Sequence, residues 1–262
     1  MIDRQGILRG TKSAWSEGGP ILVASRFLRR AAETLQHGAQ ALEIVGAARN
    51  VRRFRPASVE QAIDFAERFE HAEISIRPMQ LRSEIRSFLE LVASNPPRTV
   101  LEIGTGRGGT LFLIARVARQ DALLVSIDFL DGVPRFGGQP EYRRRERLYR
   151  SLGRGSQRVV LLDRDSHLSE TRSHLEQILA GAPLDVLFID GDHTAAGVEA
   201  DFHMYSPLVR SGGLVAFHDI VPGPAEAVGG VPSFWQTVRG AESIEFVEDW
   251  KQGGYGIGVL RV

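Results

Sequence analysis

The chain has 262 residues, 43% of them hydrophobic, with 32 basic groups against 32 acidic ones. That length suits one large domain, or one α/β core with an accessory segment, and a balanced charge gives the whole chain no reason to seek a nucleic acid. The absence of cysteine excludes disulfides, thiolate metal sites and a cysteine nucleophile. The opening Met1–Gln5 lacks the apolar run of a secretory signal. No stretch reaches the roughly 18 apolar residues of a transmembrane helix. A soluble, cytoplasmic protein is expected.

Residues 1–56 carry ten basic and four acidic residues. Between Ile21 and Ile44 the apolar positions Leu22, Phe27, Ala31, Leu35, Ala39 and Leu42 recur at helical spacing. One or two amphipathic helices are predicted, their arginines forming a solvated face or meeting a membrane surface, a nucleic acid or an acidic neighbouring subunit. Asp64–Glu70 and Gln80–Ala93 read as further helices, the second ended by Asn95-Pro96-Pro97. Residues 1–79 are therefore taken as an N-terminal helical accessory segment and 80–262 as the main domain.

The pattern then changes. Short apolar runs at 99–103, 123–128, 159–162, 184–190 and 213–217 alternate with helical stretches at 109–119, 141–152, 169–180 and 197–209. Such alternation predicts an α/β fold with a parallel sheet covered on both faces. Two closing strands, 244–247 and 255–262, flank Gly253-Gly254 and predict an antiparallel hairpin at one edge of a seven-stranded sheet.

Open parallel sheets bind ligands beyond the carboxyl ends of their strands. The first strand is followed by Glu102-Ile-Gly-Thr-Gly-Arg-Gly-Gly-Thr110. Glycines there allow a tight turn, and the next helix offers free amides. Gly104, Gly106 and Gly109 satisfy the dinucleotide fingerprint, while Gly104, Gly106 and Gly108 satisfy G-x-G-x-G. Asp128 ends the second strand, where an acid suits a ribose in either kind of site. Glu102 favours a ligand with a sulfonium and an ammonium over a pyrophosphate, unless it simply pairs with Arg107. An NAD-linked oxidoreductase, and a non-catalytic assembly partner that only binds such a ligand, are the rival functions to an enzyme acting on it.

Glu102-Ile-Gly-Thr-Gly-Arg-Gly resembles motif I of class I S-adenosylmethionine (SAM) methyltransferases. Asp165-Ser166-His167, Phe188-Ile-Asp-Gly-Asp-His193 and Ala216-Phe-His-Asp-Ile220 resemble its cephalosporin-hydroxylase-like branch, related to macrocin and catechol O-methyltransferases. The resemblance spans roughly Gln80 to Val262. It implies a Rossmann-like fold, a homo-oligomer, and transfer of a methyl group to a hydroxyl of a glycan or small molecule. Gly104, Thr105, Gly106, Gly108 and Thr110 would carry the methionine part of the cofactor, Asp128 the ribose, and Asp165 with Ser166 the adenine edge. Asp165 and Ser166 can alternatively cap the helix near Ser169.

Asp190, Asp192, His193, His218 and Asp219 form the strongest chemical cluster, since neighbouring strand ends lie about 5 Å apart. Asp190 is the leading candidate for proton removal, with His193 and His218 as alternatives. By resemblance, Asp190, His218 and Asp219 would hold Mg²⁺ or another divalent cation. His218 stands where related enzymes place an oxygen ligand, and imidazole favours softer metals. The loop 129–141 reads as a lid, and Arg143, Arg144, Arg145, Arg147 and Arg150 beyond it as an exposed helix face or an anion-binding strip.

Overall fold

The computed structural model describes residues 38–129 and 145–262. The chain divides into two units, Met1–Ile44 and Val45–Val262. Of the first only residues 38–44 are described, and they are helical. The predicted helices before residue 38, most of the lid, Arg143 and Arg144 lie outside the described residues.

The second unit starts with helical residues 45–53 and α1 (Val59–Arg68). Ser58 caps α1 by accepting the Gln61 amide. A two-stranded ribbon follows, β1 (Glu70–His71) with β2 (Ile74–Ser75), then α2 (Arg82–Ser94). The ribbon is too short to show as a periodic pattern. Arg82 ties α2 to α1 by reaching Glu60, Asp64 and Glu67 together.

The main sheet has seven strands in spatial order β5-β4-β3-β6-β7-β9-β8. They are β3 (Thr99–Ile103), β4 (Leu123–Asp128), β5 (Arg158–Asp163), β6 (Leu184–Ile189), β7 (Val209–His218), β8 (Ile244–Phe246) and β9 (Ile257–Arg261). The first five are parallel, and β9 runs antiparallel to both β7 and β8. The predicted Rossmann-like sheet with its terminal hairpin is therefore present, and β9 inserts between β7 and β8.

All five residues of β3 are buried, as expected for a central parallel strand covered on both faces. Its helix α3 (Gly109–Val117) is buried along its whole length. Phe112 of α3 packs on Phe65 of α1, which itself stacks on Phe54 at 3.8 Å. The other described helices are α4 (Glu146–Arg150), α5 (Ser169–Leu179), α6 (Ala195–Tyr205), α7 (Ala225–Val228) and α8 (Val231–Val238). The last two fall in a Gly- and Pro-rich stretch that the periodic pattern did not mark. Pro232 in the first turn of α8 suits a helix start, and Trp235 of that helix is fully buried against Gly258 of β9. Among the described residues no helix is long and apolar enough to cross a membrane.

The strand order reverses between β3 and β6, so the connections after these strands leave in opposite directions. A crevice opens beyond their carboxyl ends.

Candidate active site

The turn after β3 is built by backbone conformation. Gly104, Gly106 and Gly108 have φ of 93°, 47° and 82°, the left-handed region that only glycine enters without cost. Close approach fixes Gly104 further: a Cβ there would lie 2.0 Å from the Asp190 carbonyl oxygen. The turn is held by Asp128 Oδ2, which accepts the amides of Thr105 (2.8 Å) and Gly106 (3.0 Å). Burial pushes the Asp128 carboxyl up, against the pull of those amides.

Glu102 lies beneath this turn, not on its open side. It is fully buried, Oε2 accepts the Ser126 hydroxyl at 2.7 Å, and Ser126 bonds Thr105 Oγ1 at 2.7 Å. Oε1 has no hydrogen-bond partner, and burial holds the carboxyl well above the ordinary range. A buried acid without a cation is expected to stay neutral. Glu102 therefore shapes the loop from below, and its partner is Ser126, not the Arg107 expected from spacing.

Asp190 follows β6 and faces three side chains. Gln80 Nε2 donates to Oδ2 at 2.9 Å, and Oδ1 lies 3.2 Å from His218 Nδ1 and 3.4 Å from His193 Nε2. Asp219 Oδ2 stands 3.3 Å from His218 Nδ1 and 3.5 Å from His193 Nδ1. Burial pushes Asp190 up, but His218 and His193 outweigh it and bring the carboxyl down to about 2. Burial likewise opposes the charge on His193, yet Asp190 and Asp219 raise it to about 9; the same balance carries His218 well above its usual value. Without a metal, Asp190 is thus favoured as the carboxylate, with His193 and His218 drawn towards their protonated forms. Asp219 has φ 61°, and its Oδ1 accepts the Tyr255 amide at 3.0 Å.

Three partners escaped the sequence pattern. Gln80, 110 positions before Asp190, also accepts the Thr110 hydroxyl at 2.8 Å, joining the glycine turn to the acid cluster. It reaches there because residues 76–78 cross the start of α3, where Gly109 leaves no room for a Cβ. Tyr255 and Asp201 are the others, and no local spacing announces either.

Asp165 and Ser166 sit in the turn after β5. Asp165 Oδ1 accepts the His167 amide at 2.8 Å, while α5 has no side-chain cap, so the capping alternative does not hold for this helix. Asp192 accepts the Thr194 amide at 2.8 Å, and Thr194 caps α6. Asp192 is thus a turn residue.

The group of side chains with metal-ligand spacing differs from the expected set. Among the described residues, Asp190, His193 and Asp219 place ligand atoms within 4.8 Å of one another. His193 takes the place given to His218, which instead packs against both carboxylates. Two carboxylates and an imidazole fit a divalent cation, Mn²⁺ or Zn²⁺ more readily than the oxygen-seeking Mg²⁺.

His167 offers a stability test. Asp201 beside it raises its imidazole to about 9 against burial, with help from Asp165 and Asp192. A folded pKa above the unfolded value near 6.5 stabilises fully below that value, and the gain disappears as pH rises through about 9. His167→Gln should therefore cost on the order of 1–2 kcal/mol near pH 6 and almost nothing near pH 10. Urea unfolding of both proteins at the two pH values checks this.

Residues 101–220 match the family described as a methyltransferase domain. No curated protein matches the chain. Among solved structures, it is similar to the O-methyltransferase TomG of Streptomyces achromogenes, involved in tomaymycin synthesis and solved with SAM. The identity is 19%, over 80% of this chain and 91% of TomG, with a TM-score of 0.50. A Klebsiella pneumoniae protein assigned to the O-methyltransferases shares 20% identity over 80% of this chain and 91% of its own, with a TM-score of 0.51. At such identities these likenesses speak for the fold. Residues 101–220 thus resemble a methyltransferase domain, and the sheet order and the glycine turn after β3 agree with that likeness.

Proposed function

We propose that the protein transfers a methyl group from SAM to a hydroxyl of a small molecule or glycan. The observation that carries this is the placement of Asp190: its carboxylate is held ionised at the switch point, beside the glycine turn. The cofactor's seat is supported by the open side of that turn, where a Cβ on Gly106 would meet only Met79 Sδ at 3.9 Å, and by the half-exposed Asp165 carboxylate. In this reading the amides of Gly104–Thr110 bind the methionine end, Asp128 takes the ribose hydroxyls, and Asp165 with Ser166 meets the adenine edge. Residues 80–262 carry the chemistry. Residues 1–79 are accessory, their helices serving as contacts of a homo-oligomer.

SAM supplies a methyl carbon already activated by its sulfonium. The protein has to align the acceptor oxygen with that carbon, which contributes several kcal/mol through orientation alone. Asp190 accepts the acceptor's O–H hydrogen bond. As the O–C bond forms and the S–C bond breaks, the oxygen becomes strongly acidic, so even a carboxylate with a low pKa can take the proton. His193 and His218 stabilise the charge on Asp190 until then, and Asp219 keeps both imidazoles in place. A divalent cation held by Asp190, His193 and Asp219 would lower the hydroxyl's pKa as a Lewis acid.

The test is incubation with methyl-labelled SAM and a panel of catechols, phenolic acids and glycosides. Label in O-methyl products is expected; label in amines alone overturns the reading. Chelation with EDTA should lower turnover about tenfold or more, and Mn²⁺ should restore it better than Mg²⁺. Initial rates before and after metal addition check this.

A further inference from the structure

Beneath the turn assigned to adenine lies a charge pair with no place in the mechanism above. Helix α6 presents Asp201 and Tyr205 one turn apart, on one face. The Tyr205 hydroxyl donates to the Ser166 carbonyl at 2.6 Å, and Thr171 Oγ1 donates to the Asp165 carbonyl at 2.6 Å. Asp201 is fully buried, and neither of its oxygens has a hydrogen-bond partner. Its counterion is His167, whose Nε2 lies 3.4 Å from Oδ1, an ion pair without hydrogen-bond geometry. His167 is fastened to the turn through its own amide on Asp165. On the other side, a Cβ on Gly191 would lie 3.6 Å from Asp201 Oδ2. One buried carboxylate therefore reaches under both the Asp165–His167 turn and the turn that carries Asp190.

A carboxylate in that position is expensive unless a cation neutralises it. The other charged groups acting on His167 are acids, Asp165 and Asp192, so the imidazolium is drawn inward onto Asp201 and outward onto Asp165. We propose that His167 and Asp201 form a positioning pair that sets the shape of the adenine turn and ties it to the Asp190 turn. Neither residue touches the cofactor; both act through Asp165 and Ser166. The inference rests on the proposed seat of adenine.

Titration calorimetry with S-adenosylhomocysteine and its inosyl analogue tests it, on the parent, H167Q, D201N and the double variant. Each single variant should weaken S-adenosylhomocysteine about tenfold, in the manner of a residue that orients a contacting group. The inosyl analogue, lacking the exocyclic amine, should lose less, and the double variant should bind no more weakly than either single one. Variants that bind within about twofold of the parent, or that lose both ligands equally, overturn the pair's role. Because the His167 side chain is 31% exposed, H167Q decides the matter even if D201N fails to fold. A parent that binds neither ligand overturns the functional reading, and this inference with it.

Discussion

Replacing Asp190 by asparagine should lower turnover by on the order of 10²- to 10³-fold while leaving affinity for S-adenosylhomocysteine within a few fold. Asparagine keeps the volume, and its carbonyl can still accept from Gln80. What it loses is the charge that His193 and His218 face at 3.4 and 3.2 Å and the capacity to take a proton. The glycine turn contacts the Asp190 backbone, which the substitution leaves in place, so binding and turnover should separate. Initial rates at saturating SAM, set beside calorimetric affinity, check this. Turnover within twofold of the parent would remove Asp190 from the reaction.

The second large effect is expected at Gly104. An alanine Cβ would stand 2.0 Å from the Asp190 carbonyl oxygen and 2.6 Å from its carbon, on a residue with φ 93°. Both obstacles are backbone atoms of Asp190, directly after β6, and β6 pairs with β3 at Ile189 and Ile103. Relief requires the sheet to part at its switch point. Gly104→Ala should cost about 3–5 kcal/mol, lowering Tm by on the order of 10 °C, and should abolish cofactor binding. Gly106→Ala is the control: its Cβ meets only Met79 Sδ at 3.9 Å, leaving a conformational cost of about 1–2 kcal/mol. Thermal melts of the two variants should differ accordingly.

The parallel sheet was legible because each inner strand is a continuous apolar run with a helix behind it; β3 to β6 follow those runs closely, whereas β7 begins at Val209, before its run at 213–217. The candidate site was legible at the strand ends: the glycines after β3, Asp128 closing β4, Asp190 after β6, His218 closing β7 and Asp219 next to it. What escaped notice depends on long-range packing. Gln80 meets Asp190 only because residues 76–78 cross α3, and Asp201 meets His167 only because α6 lies beneath the β5 turn. Glu102 shows the opposite failure. Its position was visible, but its burial was not, and burial turns a presumed anion facing a cation into a neutral support for the loop. The choice of His193 over His218 in the donor set likewise depends on ring orientation, which spacing does not encode.

Titration of the intact protein with S-adenosylhomocysteine and, separately, with NAD tests the central claim most directly. One saturable site for S-adenosylhomocysteine, weakened by Asp128→Ala, with no heat from NAD, is the predicted result. Saturable NAD binding together with silence towards S-adenosylhomocysteine would contradict the account.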